Sequence, residues 1–376
     1  MSNAKNPLYR LQDFGQSVWL DYIQRSLLSS AEFRRMIDED GLRGMTSNPT
    51  IFEKAIAGSN DYDQQFDKLA RAGASVDEIY EALTTDDIKA AADALRPIYE
   101  KTDGIDGYVS YEVSPRLAND TAGTLAAAHR YIKLIDRPNL MIKVPSTPAG
   151  IPAVEQLISE GHNINITLMF SSKHYDTVAE AYIRGLERRA QAGQPLNRIA
   201  SVASVFVSRV ETLVDKRIEE KLKAGGDSSL GALRGTSAVA GTQLIYQRFK
   251  EIFSSDRFKA LAAKGARVQR PLWASTGTKN PAYSDIKYVQ DLIGPDTVNT
   301  MPPATMDAYR DHGQPRATVE DKLAEARAIV SRLASAGIDL DEVGEDLQRE
   351  GVDAFIKSFD DLLGTIKKRL SSAAAA

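Results

Sequence analysis

One lysine lies inside an otherwise apolar run, Leu140-Met141-Ile142-Lys143-Val144. Lysine is among the residue types least often found buried. Its long side chain can reach solvent from the end of a strand, and that reading involves no chemistry. If the amine is buried instead, its neutral form is favoured, and a neutral amine can attack a ketone to form a Schiff base. Lys143 is therefore the first candidate for covalent catalysis.

Polar residues also end, or lie within, six other short apolar runs. Asp21 and Glu112 carry carboxylates that could move protons for Lys143. A single polar residue in a strand is usually a hydrogen-bonded structural group. Seven successive runs with such a residue favour a shared polar cavity, because burying so many polar groups separately is costly. The uncharged members of this set are Asn48, Asn165, Thr167, Ser204 and Ser275.

The segment Trp273–Asn280 offers hydroxyl groups, backbone amides and the cation of Lys279. The segment ends the seventh of these runs and extends past it, and proteins with a (β/α)8 barrel often bind phosphate after their seventh strand, although the same composition suits a polar turn. Arg209 could add a guanidinium for phosphate, or it could be a surface residue. Neither a Walker A sequence nor GxGxxG after a strand occurs, so no nucleotide cofactor is expected.

These residues need elements that bring them together, and the chain alternates short apolar runs with helical stretches. That alternation is typical of α/β proteins with a parallel sheet. Eight runs with interleaved helices predict a closed (β/α)8 barrel, the TIM-barrel fold, with its chemistry at the carboxyl ends of the strands. The predicted strands are Ser17–Asp21, Gly44–Ser47, Tyr108–Val113, Leu140–Val144, Ile164–Phe170, Ile199–Phe206, Pro271–Ser275 and Val298–Met301.

The connecting segments show apolar residues spaced three and four apart, as helices of the outer ring require. Ala153, Val154, Leu157 and Ile158 give this pattern after the fourth strand. The connections after the second and sixth strands are long, at about 49–106 and 208–269, and predict additional helices there.

Further helices are predicted beyond the eighth strand. Thr318-Val319-Glu320-Asp321 resembles a capping box, which predicts a helix that ends near Gly337. A last helix has an apolar face that must be buried, either on its own barrel or in an oligomer contact. We expect one TIM-barrel domain over 1–376, with the barrel at about 13–310 and a helical extension at about 311–372. The apolar face comprises Val352, Phe355, Ile356, Phe359, Leu362, Leu363 and Ile366.

Composition restricts the function classes. Apolar residues make up 43% and charged residues 26% of the 376 residues, as in ordinary globular proteins. The net charge is −4 with dispersed basic residues, so a nucleic-acid partner is not expected. No apolar stretch predicts a membrane span or signal peptide. The lack of cysteine fits a reducing compartment, which favours the cytoplasm. The four histidines lack close ligand spacing, so no metal site is expected.

Several motifs, in order along about residues 13–305, resemble the transaldolase family. The asparagine-proline motif after the second strand and the strand that carries the lysine are together highly specific. The matching segments are Trp19-Leu20-Asp21, Met45–Thr50, Val109–Val113, Ile142–Pro145, Asn165–Ser171 and Ser204–Arg209.

The resemblance implies a role for each matching residue. Lys143 would form the Schiff base, and Glu112 would handle protons through a water held also by Thr167. Asp21 would take the C4 hydroxyl proton as the C3–C4 bond breaks. The remaining matches are pocket residues: Asn48 and Asn165 for the hydroxyls of the bound dihydroxyacetone unit, Ser204 and Phe206 in the pocket wall, and Arg209 and Ser275 for phosphate.

The implied donors are fructose 6-phosphate and sedoheptulose 7-phosphate, and the implied acceptors are erythrose 4-phosphate and glyceraldehyde 3-phosphate. One position departs from the family. Some members have an arginine two residues after the phosphate serine, where this chain has Gly277 and then Lys279. Lys279 is the candidate replacement, although an ammonium cannot bind phosphate in the bidentate manner of a guanidinium.

Two alternatives remain open. A fructose 6-phosphate aldolase would use the same lysine and release free dihydroxyacetone. The related aldolases resemble this sequence less well at the positions of Glu112 and Phe206, which argues against that alternative. A barrel that has lost catalysis could serve as a binding protein, which the joint presence of Asp21, Glu112, Lys143 and Thr167 argues against. The sequence leaves open whether the protein is a monomer or a homodimer.

Overall fold

In the computed structural model, which describes residues 6–375, eight parallel strands close into a barrel in sequence order. The α/β barrel prediction is confirmed, and each predicted strand overlaps an observed one. The strands are β1 Gln16–Asp21, β2 Leu42–Thr46, β3 Tyr108–Glu112, β4 Leu140–Pro145, β5 Ile164–Met169, β6 Ser201–Phe206, β7 Arg270–Ala274 and β8 Thr297–Met301.

Helices surround the barrel and fill its long connections. Those up to β5 are α1 Arg25–Leu28, α2 Ala31–Asp38, α3 Pro49–Ala57, α4 Asp63–Arg71, α5 Val76–Lys101, α6 Thr121–Ile135 and α7 Gly150–Glu160. The later ones are α8 Ser172–Gln191, α9 Ser208–Lys223, α10 Ser237–Phe253, α11 Asp256–Ala262, α12 Lys287–Gln290, α13 Pro303–His312, α14 Leu323–Ser335 and α15 Leu340–Ala375. Short 3-10 helices occur at Tyr9–Phe14, Pro115–Leu117 and Ser228–Leu233.

The extra helices lie where the sequence predicts them. The connection after β2 holds α3, α4 and α5, and the one after β6 holds α9, α10 and α11. The four apolar residues of α7 that gave the predicted pattern are fully buried, as their spacing requires. Within 6–375, no helix is both long and apolar enough to cross a membrane.

Close packing between β1 and β2 explains one glycine in the barrel. Trp19 pairs with Gly44 in the register of the two strands. A Cβ atom at Gly44 would lie 2.5 Å from the Trp19 indole ring, closer than packed atoms can approach. Glycine therefore leaves the space that the fully buried indole fills, and Trp19 Nε1 donates to Asp106 at 3.2 Å.

The start of the helix after β8 differs from the capping-box prediction. Helix α14 begins at Leu323, five residues after Thr318. The Thr318 hydroxyl instead accepts from the Ile293 amide at 2.9 Å and donates to the Gln290 carbonyl at 2.8 Å. The prediction was wrong because the hydroxyl ties a loop to α12 rather than capping a helix. The helix ends at Ser335, close to the predicted stop at Gly337.

The last helix packs on its own barrel. In α15 the side chains of Val352, Phe355, Phe359, Leu362 and Ile366 are buried within this chain. Arg116 of the turn after β3 pairs with Asp360 at 2.6 Å, and Thr50 of α3 donates to Ser358 at 2.8 Å. Because its contacts come from segments that follow β2 and β3, α15 lies over the carboxyl end of the barrel.

Candidate active site

Three neighbouring strands present polar residues side by side. Glu112 of β3 pairs in register with Lys143 of β4, which pairs with Asn165 of β5. Register partners in a sheet point to the same face. These three side chains are all buried, so they form one row inside the barrel near the carboxyl ends of the strands.

Lys143 is enclosed, with only 4% of its surface exposed. Its Nζ lies 3.3 Å from Glu112 Oε2 and donates to the Ser47 carbonyl at 3.2 Å. The explanation that this lysine reaches solvent from a strand end is therefore excluded. A buried lysine with a carboxylate beside it has the groups required for Schiff-base formation and proton transfer.

Glu112 is an acid held away from water. Burial raises the pKa of Glu112 above its usual range, although the neighbouring Lys143 works in the opposite direction. In the described part of the chain, the buried Thr167 Oγ1 has no hydrogen-bond partner, and the buried Glu112 Oε2 contacts Lys143 Nζ as an ion pair without accepting a further hydrogen bond. Since buried polar atoms are normally hydrogen-bonded, Thr167 Oγ1 and the remaining acceptor capacity of Glu112 Oε2 fit a bound water molecule or substrate group.

Asp21 belongs to a chain of hydrogen bonds across β1, β2 and β8. Thr46 Oγ1 donates to Asp21 Oδ1 at 2.7 Å and lies 2.7 Å from Thr300 Oγ1. Burial raises the pKa of Asp21, and its effect exceeds the opposing effects of Lys143 and of the Thr46 hydrogen bond. A carboxylate with a raised pKa is a stronger base than an exposed aspartate.

Asn165 is fixed by two serines. Its Nδ2 donates to Ser110 Oγ at 3.0 Å, and its Oδ1 accepts from Ser204 Oγ at 2.7 Å. All three are buried. Ser204 thus orients the amide, so that the second N–H of Asn165 Nδ2 is available to a ligand.

Asn48 has a structural contact at the edge of the site. It is the N-cap of α3, where its Oδ1 accepts from the Ile51 amide at 2.9 Å. Removing such a cap typically costs about 1 kcal/mol of stability. Its amide N–H groups stay available for a ligand beside Ser47.

Phe206, the last residue of β6, lies beside Arg209 in the first turn of α9. The Arg209 guanidinium carbon is 5.3 Å from the centre of the Phe206 ring, and Phe206 also packs on Phe170 at 5.1 Å. The positive charge of Arg209 lowers the pKa of both Asp21 and Glu112, against the larger effect of burial. A half-buried guanidinium near both carboxyl groups is consistent with binding an anionic substrate.

The two predicted phosphate-binding residues after β7 make fewer contacts with the rest of the site. Ser275 lies one residue beyond the strand, and its Oγ is 2.9 Å from Ser208 Oγ. Lys279 is exposed. It still lowers the pKa of Asp21 electrostatically, so its charge acts on the site.

Backbone strain occurs at two residues of this region. Leu168 has φ 58° and Ser275 has φ 55°, in the left-handed region that side chains disfavour. Each such residue costs of order 1–3 kcal/mol, and strain of this kind often accompanies functional sites. The β5–β6 register shifts between Ile166 and Met169, which is where Leu168 lies.

Several residues of the site were not predicted. Thr300 gave a signal, because it is a polar residue near the end of the eighth apolar run. Phe355 was assigned only to the apolar face of its helix, and its contact with the site has no signature in the sequence. The others are Thr46, Ser47, Ser110 and Gln348.

One group of possible metal ligands lies elsewhere. In the part of the chain that the structure describes, His129, Glu160 and His162 have ligand atoms within 4.8 Å of one another. Sequence spacing did not indicate this, because the group joins α6 to the loop before β5. His129 Nε2 already binds Glu160 Oε2 at 2.6 Å. Since His162 precedes β5, the group lies at the amino ends of the strands, away from Lys143.

Comparison with known proteins gives consistent matches. The model of the transaldolase/fructose-6-phosphate aldolase family matches residues 18–366. A protein of Trichodesmium erythraeum named transaldolase is 48% identical over 371 residues, covering 97% of this chain and 98% of the relative. Another from Saccharopolyspora erythraea, also named transaldolase, is 50% identical over 367 residues, with coverages of 97% and 98%. A third, from Mycolicibacterium paratuberculosis, is 48% identical over 373 residues, with coverages of 98% and 99%.

Proposed function

The chain belongs to the transaldolase/fructose-6-phosphate aldolase family, and we propose that it performs transaldolase chemistry through Lys143. The reaction moves a dihydroxyacetone unit from a ketose phosphate to an aldose phosphate through a lysine Schiff base, in the non-oxidative pentose phosphate pathway. The observation that carries the assignment to Lys143 is its burial beside Glu112, at 3.3 Å from the carboxylate.

The first stage is formation of the Schiff base. The neutral amine of Lys143 attacks C2 of the ketose, and the resulting carbinolamine loses its hydroxyl group as water. Glu112 supplies and recovers the protons through a water shared with Thr167. The buried Thr167 Oγ1, which has no hydrogen-bond partner among the described residues, and the raised pKa of Glu112 support this role.

The second stage is cleavage of the C3–C4 bond. Asp21 takes the proton of the C4 hydroxyl, the C3–C4 electron pair moves toward the protonated imine, and the aldose leaves. The enamine that remains on Lys143 then attacks the carbonyl carbon of an acceptor aldose. Burial of Asp21 supports this role because it raises the pKa of the carboxyl group.

Substrate binding uses the remaining predicted residues. Asn48 and Asn165 hold hydroxyl groups of the dihydroxyacetone unit, while Ser204 orients Asn165 and Phe206 forms the wall of the pocket. The phosphate group binds Arg209, with Ser275 and Lys279 contributing a hydroxyl group and a more distant charge. The convergence of the Arg209 and Lys279 charges on Asp21 supports this arrangement.

We propose one TIM-barrel domain that works without a cofactor or metal in the cytoplasm, where sugar phosphates are metabolised. The expected domain of 1–376 extends past both ends of the described residues. Its assembly is a monomer or a homodimer, and a monomer is supported by the burial of the apolar face of α15 within its own chain. The net charge of −4 argues against a nucleic-acid partner.

Borohydride trapping tests the assignment. The protein is reduced in the presence of fructose 6-phosphate, with and without erythrose 4-phosphate, and its peptides are analysed by mass spectrometry. A three-carbon adduct on Lys143 that the acceptor removes is expected. Lys143→Met should give no adduct, while Lys287→Met, which removes another lysine paired with a glutamate, should keep it.

The same measurement separates the alternatives. An adduct on a different lysine would overturn the assignment of Lys143. Release of free dihydroxyacetone at the rate of donor cleavage would indicate an aldolase instead. Absence of any adduct from correctly folded protein would favour a barrel that only binds.

A further inference from the structure

The C-terminal helix α15 reaches the catalytic lysine. The centre of the Phe355 ring lies 5.9 Å from Lys143 Nζ and 5.8 Å from the guanidinium carbon of Arg209. Its side chain is buried, with 3% exposed. Phe355 is therefore the point at which the extension beyond the barrel meets both the Schiff-base lysine and the proposed phosphate-binding arginine.

Glycines allow the helix to lie this close. A Cβ atom at Gly344 would be 2.8 Å from Ser171 Cβ, and one at Gly351 would be 2.9 Å from Leu168 Cδ2. Gly344 and Gly351 are seven residues apart, so they lie on the same side of α15. Phe355 follows Gly351 by four residues and therefore lies on that side too, facing the barrel.

A buried glutamine fixes the helix to the strained strand end. Gln348 Nε2 lies within hydrogen-bond distance of Ser146 Oγ at 2.9 Å, the Leu168 carbonyl at 3.1 Å and the Ser146 carbonyl at 3.2 Å. Ser146 directly follows β4, which carries Lys143, and Leu168 is the penultimate residue of β5, which carries Thr167. The position of Phe355 is thereby tied to the same strand ends that position the site.

We propose that Phe355 is a positioning residue that shields the Schiff base on Lys143 from water. It thereby favours transfer of the dihydroxyacetone unit to the acceptor over its release as free dihydroxyacetone. The inference rests on the proposed function. Release requires the enamine carbon to take a proton, which gives the protonated imine of dihydroxyacetone. A water oxygen then bonds to the imine carbon, both of its protons pass to the nitrogen, and the C–N bond breaks as the ketone C=O bond forms, which leaves the lysine as its ammonium. The products are dihydroxyacetone and the free lysine.

An aromatic ring over Nζ opposes this sequence because it occupies the space from which water would approach the imine carbon. Water exclusion is one way in which enzymes protect reactive intermediates. The same ring contacts Arg209, so the phosphate-binding cation and the imine share one apolar cover. A role in packing alone would also account for a buried phenylalanine. Loss of a packing residue should leave the ratio of dihydroxyacetone release to transfer unchanged, whereas loss of a shielding residue should raise it.

The test measures partition, which is the amount of free dihydroxyacetone released for each transfer to erythrose 4-phosphate. Phe355→Ala is expected to raise this ratio about tenfold, which corresponds to a change of about 1.4 kcal/mol in the barrier to release relative to that to transfer. Phe355→Leu, which keeps most of the apolar volume, is expected to restore most of the transfer. Borohydride trapping on Lys143 should succeed in all variants.

Phe359→Ala is the matched control. Phe359 is also buried on α15, but it packs on Tyr80 at 5.2 Å and on Arg116. This variant should lose thermal stability as Phe355→Ala does and keep the partition ratio of the unsubstituted protein. An increase in the ratio for Phe359→Ala equal to that for Phe355→Ala would show that loosening of the helix is enough, and would overturn the specific role.

The remaining outcomes are also decisive. An unchanged ratio in Phe355→Ala, with the adduct still on Lys143, would overturn the inference and leave the proposed function intact. A leucine variant that releases as much dihydroxyacetone as the alanine variant would overturn shielding by apolar volume. Absence of an adduct from the unsubstituted protein would overturn the proposed function, and the inference with it.

Discussion

Replacing Asp21 with asparagine separates the two stages of the proposed reaction. The substitution keeps the size of the side chain and the Oδ1 atom that accepts from Thr46 at 2.7 Å. It removes the base that takes the C4 hydroxyl proton. Lys143 and Glu112 remain paired, so formation of the Schiff base should continue.

The structure sets the direction and size of the effects. Loss of a general base typically lowers a rate by about 10²–10⁴, which corresponds to about 3–5 kcal/mol in the barrier. The transfer rate should fall within that range. Because burial raises the pKa of Asp21, its ionised form is disfavoured in the folded protein, and a neutral amide should not lower stability at pH 7. We therefore expect a melting temperature equal to or above that of the unsubstituted protein.

The assay is borohydride reduction with fructose 6-phosphate, followed by mass analysis of the Lys143 peptide. The unsubstituted protein should carry a three-carbon adduct, because cleavage precedes reduction. Asp21→Asn should carry the intact six-carbon phosphate adduct, because the donor binds and condenses but its C3–C4 bond does not break. Rates with both substrates give the size of the decrease.

Asp40→Asn provides the control for loss of a buried carboxylate. Asp40 lies before β2 and accepts from Arg310 at 2.8 Å and 2.7 Å. Its variant should melt at a lower temperature and still form the three-carbon adduct. A three-carbon adduct in Asp21→Asn, at the rate of the unsubstituted protein, would refute the assignment of Asp21 as the base.

Three further predictions concern the acid, the phosphate and the pH profile. Glu112→Gln should slow formation of the trapped adduct by about 10²–10⁴, and a normal rate of adduct formation would exclude Glu112 from proton transfer. Arg209→Lys should raise the KM for fructose 6-phosphate about tenfold or more and leave that for unphosphorylated fructose unchanged; equal changes for both sugars would argue against phosphate binding. Since burial raises the pKa of both Asp21 and Glu112, the rate should begin to fall with decreasing pH above the ordinary carboxylate range. Circular dichroism at each pH checks that the protein stays folded, and a rate that is constant down to the ordinary range would contradict the raised values.

The sequence predicted the barrel well because each strand leaves a local signal. A central strand is buried on both faces, so its residues form a continuous apolar run whose interruption by a polar residue is conspicuous. Strand ends were less certain. Residues Leu42 and Arg43 begin β2 two positions before the predicted Gly44, because an arginine at the amino end of a strand resembles a loop residue.

Local signals in the strands also allowed part of the candidate site to be predicted. Lys143 and Glu112 stood out as charges within apolar runs, and their register on adjacent strands brings them together. The positions of Gln348 and Phe355 depend instead on the path of α15, which residues more than 200 positions away determine through contacts such as that with Ser146. No local pattern encodes such a contact, so the sequence could predict only that the helix has an apolar face.

The chemistry of the site opposes the stability of the fold. A carboxyl group whose pKa is raised by folding binds its proton more tightly in the folded protein than in the unfolded chain. As the pH rises from the unfolded value toward the folded one, the unfolded chain loses this proton first, and the folded state loses stability over that window. Above the window the loss is constant, so Asp21 and Glu112 both destabilise the protein at neutral pH. Lys143 offsets part of this effect through its charge, but burial has the larger influence on both pKa values. Two carboxyl groups retained in a barrel at a net cost to stability are better explained by proton transfer than by packing, which apolar residues at the same positions would achieve without that cost.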